Sequence, residues 1–407
     1  MHIVIVGAGE CGARAAFALR EKGFEGQVTL VGAEPHAPYE RPPLSKDGLA
    51  GAEPPKYVAG VERYAEAGIS VLTNAPVASI DRERKVVVLA AGGAIHYDRL
   101  LLATGARPRA FPGVPDNARC IRMLRTHADA TAIRSALLPG RKLVIIGGGF
   151  IGLELAATAR KLGAEVVLLE GLPRLLSRGV PGEIAEIVAD RHGREGVEIL
   201  CGVRISAIEE NDGGAAVLLA EGGRIAADLV VVGIGAVPNT ELAAAAGLTL
   251  DNGIAVDETL RTSDPDIFAA GDCCSFPLSH YGGRRVRLEA WRNAQDQGTL
   301  AAANLLGAAE PIAAVPWFWS DQYELTLQIA GLGDGAGTTV RRELGESALI
   351  LFHLDRDGRL IAASGIGPGN AVARDIRLAE MLIAAGAKPD PAALASPETK
   401  LKKLLAA

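Results

Sequence analysis

The 407 residues exceed what one hydrophobic core usually supports, and at roughly 150 residues per domain they predict two or three domains. Of these residues 49 % are hydrophobic and 22 % charged, yet no apolar run approaches the roughly 20 residues needed to span a bilayer, so no membrane partner is expected. A formal charge of −6 argues against a nucleic-acid partner, which requires clustered positive charge. The five cysteines, Cys11, Cys120, Cys201, Cys273 and Cys274, form no C-x-x-C pair and no metal-ligand spacing. No metal is expected, and the scattered thiols suit a reducing cytoplasm. Met1 leads directly into Ile3-Val4-Ile5-Val6 without a basic region or a small-residue cleavage site, which also predicts a cytoplasmic location.

In chain order, residues 2–6 read as an apolar strand, followed by a glycine turn, an alanine-rich helix over 13–22 and a second strand over 28–31, a βαβ unit. The pattern recurs with a strand at 143–146, a glycine turn at 147–152, a helix over 153–162 and a strand at 166–169. Each copy is followed by its own β-rich stretch, so the copies read as two domains rather than stacked repeats. Between them lie strand signals at 77–80, 85–89 and 98–103, then the proline-interrupted segment 107–112, which reads as a crossover between domains. A comparable crossover occupies 233–239. Beyond Ala314 the texture changes to Trp317-Phe318-Trp319, strands near 325–329 and 348–352 and a helical tail over 372–385, a small α+β domain. The expected partition is a discontinuous first nucleotide domain over 1–110 and 240–314, a second over 111–239 and a last domain over 315–407.

Gly7, Gly9 and Gly12 match Gly147, Gly149 and Gly152 in the G-x-G-x-x-G spacing. Alone that spacing is weak evidence, but each copy follows an apolar strand and opens a helix of small residues. The first glycine permits the tight turn, the second lets the backbone approach a pyrophosphate, and the third lets helix and strand pack closely. Exposed N–H groups then hold phosphate oxygens. The acid expected roughly 20 positions further on is Glu34 in the first copy and Glu170 in the second; with Ala33 at the more usual position, the first contact shifts by one residue. Carboxylates accept ribose hydroxyls and repel a 2′-phosphate, which favours NADH over NADPH.

Ala103-Thr104-Gly105 before the first crossover, Gly233-Ile234-Gly235 before the second and Ala270-Gly271-Asp272 afterwards resemble the two-dinucleotide-binding-domain flavoproteins. Within that class, Tyr39-Glu40-Arg41-Pro42-Pro43-Leu44-Ser45-Lys46, Arg287-Leu288-Glu289 and Pro316-Trp317-Phe318-Trp319-Ser320-Asp321-Gln322-Tyr323 are similar to FAD-dependent NADH:ferredoxin reductases that serve aromatic-ring dioxygenases and haem-thiolate monooxygenases. The likeness runs nearly from end to end and thins over the last sixty or so residues. It implies an α/β protein of glutathione-reductase-like architecture, with two Rossmann-like domains and a small α+β C-terminal domain. It further implies FAD and NADH as cofactors, a two-iron two-sulfur ferredoxin as partner, an oxygenase served indirectly, and a monomer or weak homo-oligomer.

By the same resemblance FAD falls to Gly7, Gly9, Gly12, Glu34, Arg41, Lys46, Val77, Thr104, Gly105, Arg125, Asp272, Glu289, Ala290, Trp291 and Trp319. NADH falls to Gly147, Gly149, Phe150, Ile151, Gly152, Glu154, Glu170 and Gly235. Lys46 and Glu154 are the expected catalytic pair: the cation would lie beside the flavin and the carboxylate would orient the nicotinamide amide. Phe150 either covers the flavin until NADH displaces it or simply packs. Trp317 and Trp319 alternate as in a strand and should share a face. Arg284, Arg285, Arg287 and Arg292 are either a basic docking patch or a solvated rim.

Two rival functions share this architecture. A disulfide or peroxide reductase, or an NADH oxidase, needs a redox cysteine beside the flavin, and this chain has Pro43-Leu44-Ser45-Lys46 at the relevant loop. An NADH-responsive flavoprotein sensor of the apoptosis-inducing-factor kind carries a long insertion in its last domain, which this chain lacks.

Overall fold

Ile3, Val4, Ile5 and Val6 are all buried, as a strand covered on both faces must be, and they lie at the centre of a parallel sheet. In this computed structural model, which describes residues 1–50, 54–115, 117–211 and 213–405, the chain divides into two compact units. One unit comprises Met1–Glu40, Pro55–Arg107 and Val237–Pro316; the other comprises Arg41–Pro54, Pro108–Ala236 and Trp317–Ala407.

In the first unit five parallel strands run in the order Ile267–Ala269, Arg99–Leu102, His2–Val6, Gln27–Val31, Ile69–Leu72. Helix Glu10–Glu21 connects the second glycine of the turn to the next strand. Its small residues Ala13, Ala15, Ala16 and Ala18 are fully buried. A three-stranded antiparallel meander, Val77–Asp81, Val86–Leu89 and Ala94–His96, is inserted in the chain between strands Ile69–Leu72 and Arg99–Leu102.

The second unit repeats this plan. Its parallel strands run in the order Ile121–Arg122, Leu229–Val232, Lys142–Ile146, Glu165–Glu170, Val197–Cys201, and helix Phe150–Lys161 follows the glycine turn. The meander here is Ile205–Asn211, Gly214–Leu219 and Arg224–Ala227. Both helices start three residues earlier than alanine content alone indicates, because the residues after the second glycine already have helical backbone.

The same unit holds a five-stranded antiparallel sheet in the order Trp317–Gln322, Leu325–Gly331, Leu360–Pro368, Leu349–Leu354, Thr338–Glu343. Helix Ala373–Ala384 crosses it through Ile376, Ala379, Leu382 and Ile383. Arg342, 3 % exposed, pairs with Asp375 at 3.2 Å and donates to the carbonyls of Ser396 and Thr399 at 2.8 and 2.9 Å. A buried guanidinium held by a carboxylate and two carbonyls ties the C-terminal segment to the sheet. Residues 41–54, expected with the first domain, cluster with the second unit, where Ser45 and Lys46 bond to Glu154 and Asp321.

Candidate functional site

The two glycine turns have the same steric origin. Gly7 has φ +116° and Gly147 φ +113°, and a Cβ on either would lie 2.1 or 2.3 Å from the carbonyl oxygen of Ala103 or Gly233. Only glycine fits there. Gly12 and Gly152 let helix and turn close, since a Cβ would stand 2.0 or 2.1 Å from the oxygen of Gly7 or Gly147. The middle glycines differ: a Cβ on Gly9 or Gly149 would meet nothing within 4 Å. Both are helix N-caps without a side-chain capping bond, so each turn leaves an open cradle before the positive end of a helix. Such a cradle fits a dinucleotide pyrophosphate by both shape and donor chemistry.

Beside the first turn Glu34 accepts a 2.5 Å hydrogen bond from the Tyr39 hydroxyl. Thr104 and Asn239 bond reciprocally, Thr104 Oγ1 to the Asn239 carbonyl at 2.7 Å and Asn239 Nδ2 to the Thr104 carbonyl at 2.8 Å, and Gly105 follows at φ +67°. Asp272 lies in the short 3₁₀ turn Gly271–Cys273, half-buried, with its carbonyl accepting from Arg287. Glu289 pairs with Arg287, Ala290 caps helix Trp291–Leu305, and Trp291 is that helix's first residue. Val77 opens the first strand of the meander, half-buried. The four arginines of the suggested patch do not form a bare positive field: Arg285, Arg287 and Arg292 stand 3.5, 2.5 and 3.6 Å from Asp251, Glu289 and Asp296, and Arg284 lies over the Tyr281 ring.

The Cys11, Cys273 and Cys274 side chains are buried free thiols, and burial pushes all three above the ordinary thiol range. A nucleophilic or redox-active thiol needs the opposite shift.

Beside the second turn, the Glu170 carboxylate accepts from the Gly148 and Leu172 N–H groups at 2.7 and 2.8 Å, which fixes the acid at the strand end. Ile151, at the first turn of the helix, is 51 % exposed. Phe150 packs on Phe318, ring centroids 4.2 Å apart. Gly235 has φ +110° in the turn between strands Leu229–Val232 and Ala236–Pro238. Arg41 and Arg125 both fall in this unit, with the Arg41 guanidinium donating to the Arg125 carbonyl at 2.6 Å.

Helix Phe150–Lys161 carries Glu154 inward, 7 % exposed. Lys46 Nζ lies 3.4 Å from Glu154 Oε1 and, closer, 2.7 Å from Asp321 Oδ2. The same ammonium stands 5.5 Å from the Trp319 ring, which stacks on Trp317 at 5.5 Å and 24°. Glu154 also accepts from Ser45 Oγ at 2.6 Å and Ser320 Oγ at 2.5 Å, while Thr158 Oγ1 holds the Ser45 carbonyl at 2.8 Å. Burial raises the Glu154 carboxyl above the usual range; Lys46 and the serine donors pull it back only in part. Ser45, Asp321, Ser320 and Gln322 were not singled out from the sequence. A signal was available: Ser320 and Gln322 are two apart on one strand, hence on one face, and polar residues buried on one face imply partners.

The fold and its paired glycine cradles define a dinucleotide-dependent oxidoreductase, and the chain belongs to the pyridine nucleotide-disulphide oxidoreductase family, whose model matches residues 1–298. The Reductase C-terminal family model matches residues 317–405, so the likeness does not thin over the last sixty residues as expected; the antiparallel sheet and its helix carry it there. Two of its relatives are the ferredoxin–NAD(+) reductase component of the anthranilate 1,2-dioxygenase system of Burkholderia cepacia, 43 % identical over 99 % of this chain and 98 % of its own, and putidaredoxin reductase of Pseudomonas putida, 42 % identical over 90 % and 88 %. Among solved structures, the covalent putidaredoxin reductase–putidaredoxin complex matches with a TM-score of 0.93 and 39 % identity over 100 % of this chain and 98 % of that one. The ferredoxin reductase for the CYP199A2 system of Rhodopseudomonas palustris matches with a TM-score of 0.93 and 37 % identity over 99 % of each chain. Among the described residues, no helix is long and apolar enough to cross a membrane.

Proposed function

We propose that this protein is an NADH-dependent ferredoxin reductase that carries FAD and passes single electrons to a two-iron two-sulfur ferredoxin serving an oxygenase in the cytoplasm. The observation that carries the reading is the pair of open glycine cradles, each at an uncapped helix start, in a chain without a reactive cysteine at its Ser45-Lys46 position. Bound FAD would supply the conversion of one two-electron hydride transfer into two one-electron transfers.

Residues at the first cradle, Gly7, Gly9, Gly12 and Glu34, together with Thr104, Gly105 and Asp272, would hold the FAD nucleotide. Val77, Glu289, Ala290 and Trp291 would border it, with Arg41, Arg125 and Trp319 as further contacts. Gly147, Gly149, Ile151, Gly152, Gly235 and Glu170 would hold NADH, and the Glu170 carboxylate disfavours a 2′-phosphate by like-charge repulsion. Lys46 supplies a fixed cation where negative charge develops, an effect strongest where water is excluded. Glu154, oriented by two serine hydroxyls and Lys46, would accept from the nicotinamide amide and so hold the ring for transfer.

The test is direct. Purified protein should be yellow, and NADH should bleach the flavin band and drive reduction of added two-iron ferredoxins with NADPH at least tenfold less effective. A colourless protein that takes up no flavin, or NADH oxidation that generates two new thiols instead of reduced ferredoxin, would overturn the reading.

A further inference from the structure

The polar groups behind Glu154 extend well past its contact with Lys46. Ser320 and Gln322 are 0 % and 1 % exposed on the edge strand Trp317–Gln322. Gln322 Nε2 donates to Ser320 Oγ at 2.9 Å, and Ser320 Oγ donates to Glu154 Oε1 at 2.5 Å. At the far end His192 Nε2 lies 2.9 Å from Gln322 Oε1. His192 sits on helix Gly182–Arg194 and is 0 % exposed.

The chemistry fixes a direction along this chain. An ionised carboxylate only accepts, so the single Ser320 proton must point to Glu154. The Ser320 oxygen must then accept, which turns the Gln322 amide group toward it and leaves the Gln322 oxygen facing His192. That oxygen only accepts, so His192 must carry its proton on Nε2. Its Nδ1, buried and without a hydrogen-bond partner, is then a bare acceptor rather than a stranded cationic donor. Burial likewise holds the imidazole below its ordinary range, against the Gln322 bond and Glu195, with Arg191 adding to the depression. Tyr323 lies edge-on at 5.0 Å and Glu324 pairs with Arg191, so no carboxylate in these contacts bonds the imidazole directly.

We propose that Gln322 and His192 are positioning residues for Glu154, a one-way chain of donors that holds its carboxylate ionised and in one rotamer beside Lys46. The proposal rests on the reading of Glu154 as the nicotinamide-orienting group. It explains why this strand spends its two buried positions on Ser320 and Gln322. Mere structural cement between helix and strand would need no such polarity.

The experiment is single-turnover reduction of the bound flavin by NADH across pH, in wild type, S320A, Q322M and the double variant. Each removed donor should move the acid limb upward, by about one pH unit in S320A and about half a unit in Q322M. Because Gln322 acts through Ser320, the double variant should match S320A, a non-additivity that independent packing defects do not produce. A second readout is independent of turnover: histidine 15N NMR of the intact wild-type protein should show His192 neutral and protonated on Nε2 at pH values where a free imidazole is already cationic. An Nδ1-protonated or cationic His192, an unmoved limb in a Q322M protein that still binds flavin, or additive shifts would each overturn the relay. A wild type that NADH does not reduce would instead overturn the proposed function.

Discussion

The two glycine turns are near-copies, and the helices behind them are not. Each turn is set by the same backbone collision, each sheet is parallel with the strand before its glycine turn at the centre, and each unit carries a three-stranded meander. Seven residues past the first glycine, however, one helix has Arg14 and the other Glu154. Arg14 is an ion-pairing surface residue, bonded to Glu21 and Thr299. Glu154 is buried with four polar neighbours, Lys46, Ser45, Ser320 and, through Ser320, Gln322. Four residues past the first glycine, Cys11 is buried where Ile151 is exposed. Helix Glu10–Glu21 is sealed by helix Trp291–Leu305, brought so close at Gly298 that a Cβ there would lie 2.6 Å from the Cys11 carbonyl. Under the proposed function the turn binds, and the helix face behind it decides whether the copy also contributes chemistry.

The comparison breaks most visibly at the first glycines. Gly7→Ala should yield a colourless protein, whereas Gly147→Ala should stay yellow but lose NADH reduction by more than about 100-fold, because each added methyl collides with backbone at a positive φ. Flavin absorbance per chain and single-turnover reduction separate the two outcomes; loss of flavin in both would mean that the copies are not independent binding turns.

Next in size is the pair of equivalent helix positions. Glu154→Gln should slow flavin reduction on the order of 10- to 100-fold, the usual worth of a charged hydrogen bond, while Arg14→Gln should leave the rate within about twofold and stability within about 1 kcal/mol. In the wild type the rate should fall with acid at a pH above the ordinary carboxylate range, since burial raises Glu154 and protonation removes its acceptor. A limb at the ordinary value would show that the carboxylate is solvated during turnover.

The acids at the strand ends come third. Glu170→Ala should raise the KM for NADH roughly tenfold and narrow the preference over NADPH without changing flavin content, whereas Glu34→Ala should weaken flavin retention and leave the KM for NADH alone. Equilibrium dialysis of flavin and steady-state kinetics with both nucleotides check this. The smallest effect is expected of Trp319→Phe, which keeps a ring under the Lys46 ammonium and removes only the stronger quadrupole of indole, about 0.5–1 kcal/mol, so ferredoxin reduction should slow less than about fivefold. Ionic strength should likewise change that rate modestly, because three of the four arginines at 284–292 stand beside carboxylates.

Strand, turn and helix of each βαβ unit were legible because glycine at a colliding position and unbroken apolar strands are local facts of the chain. So was the placement of Glu170 against its turn, by spacing, and the shared face of Trp317 and Trp319, by strand alternation. The helices begin three residues before the alanine-rich stretches, since the backbone turns helical before composition changes. The segment around Lys46 was expected with the first nucleotide domain on sequence proximity, and its partners Glu154 and Asp321 lie far along the chain.

By itself, then, the sequence determined two strand–glycine turn–helix units, set by steric rules acting within some thirty residues. Only the tertiary structure decided that Ser45, Glu154, His192, Ser320 and Gln322 form one buried chain, because these residues come from four separate segments and nothing local couples them. Their common reason is desolvation: once the helix and the edge strand close over a carboxylate, every lone pair left inside must find a donor, and the packing of distant segments determines which donor it finds.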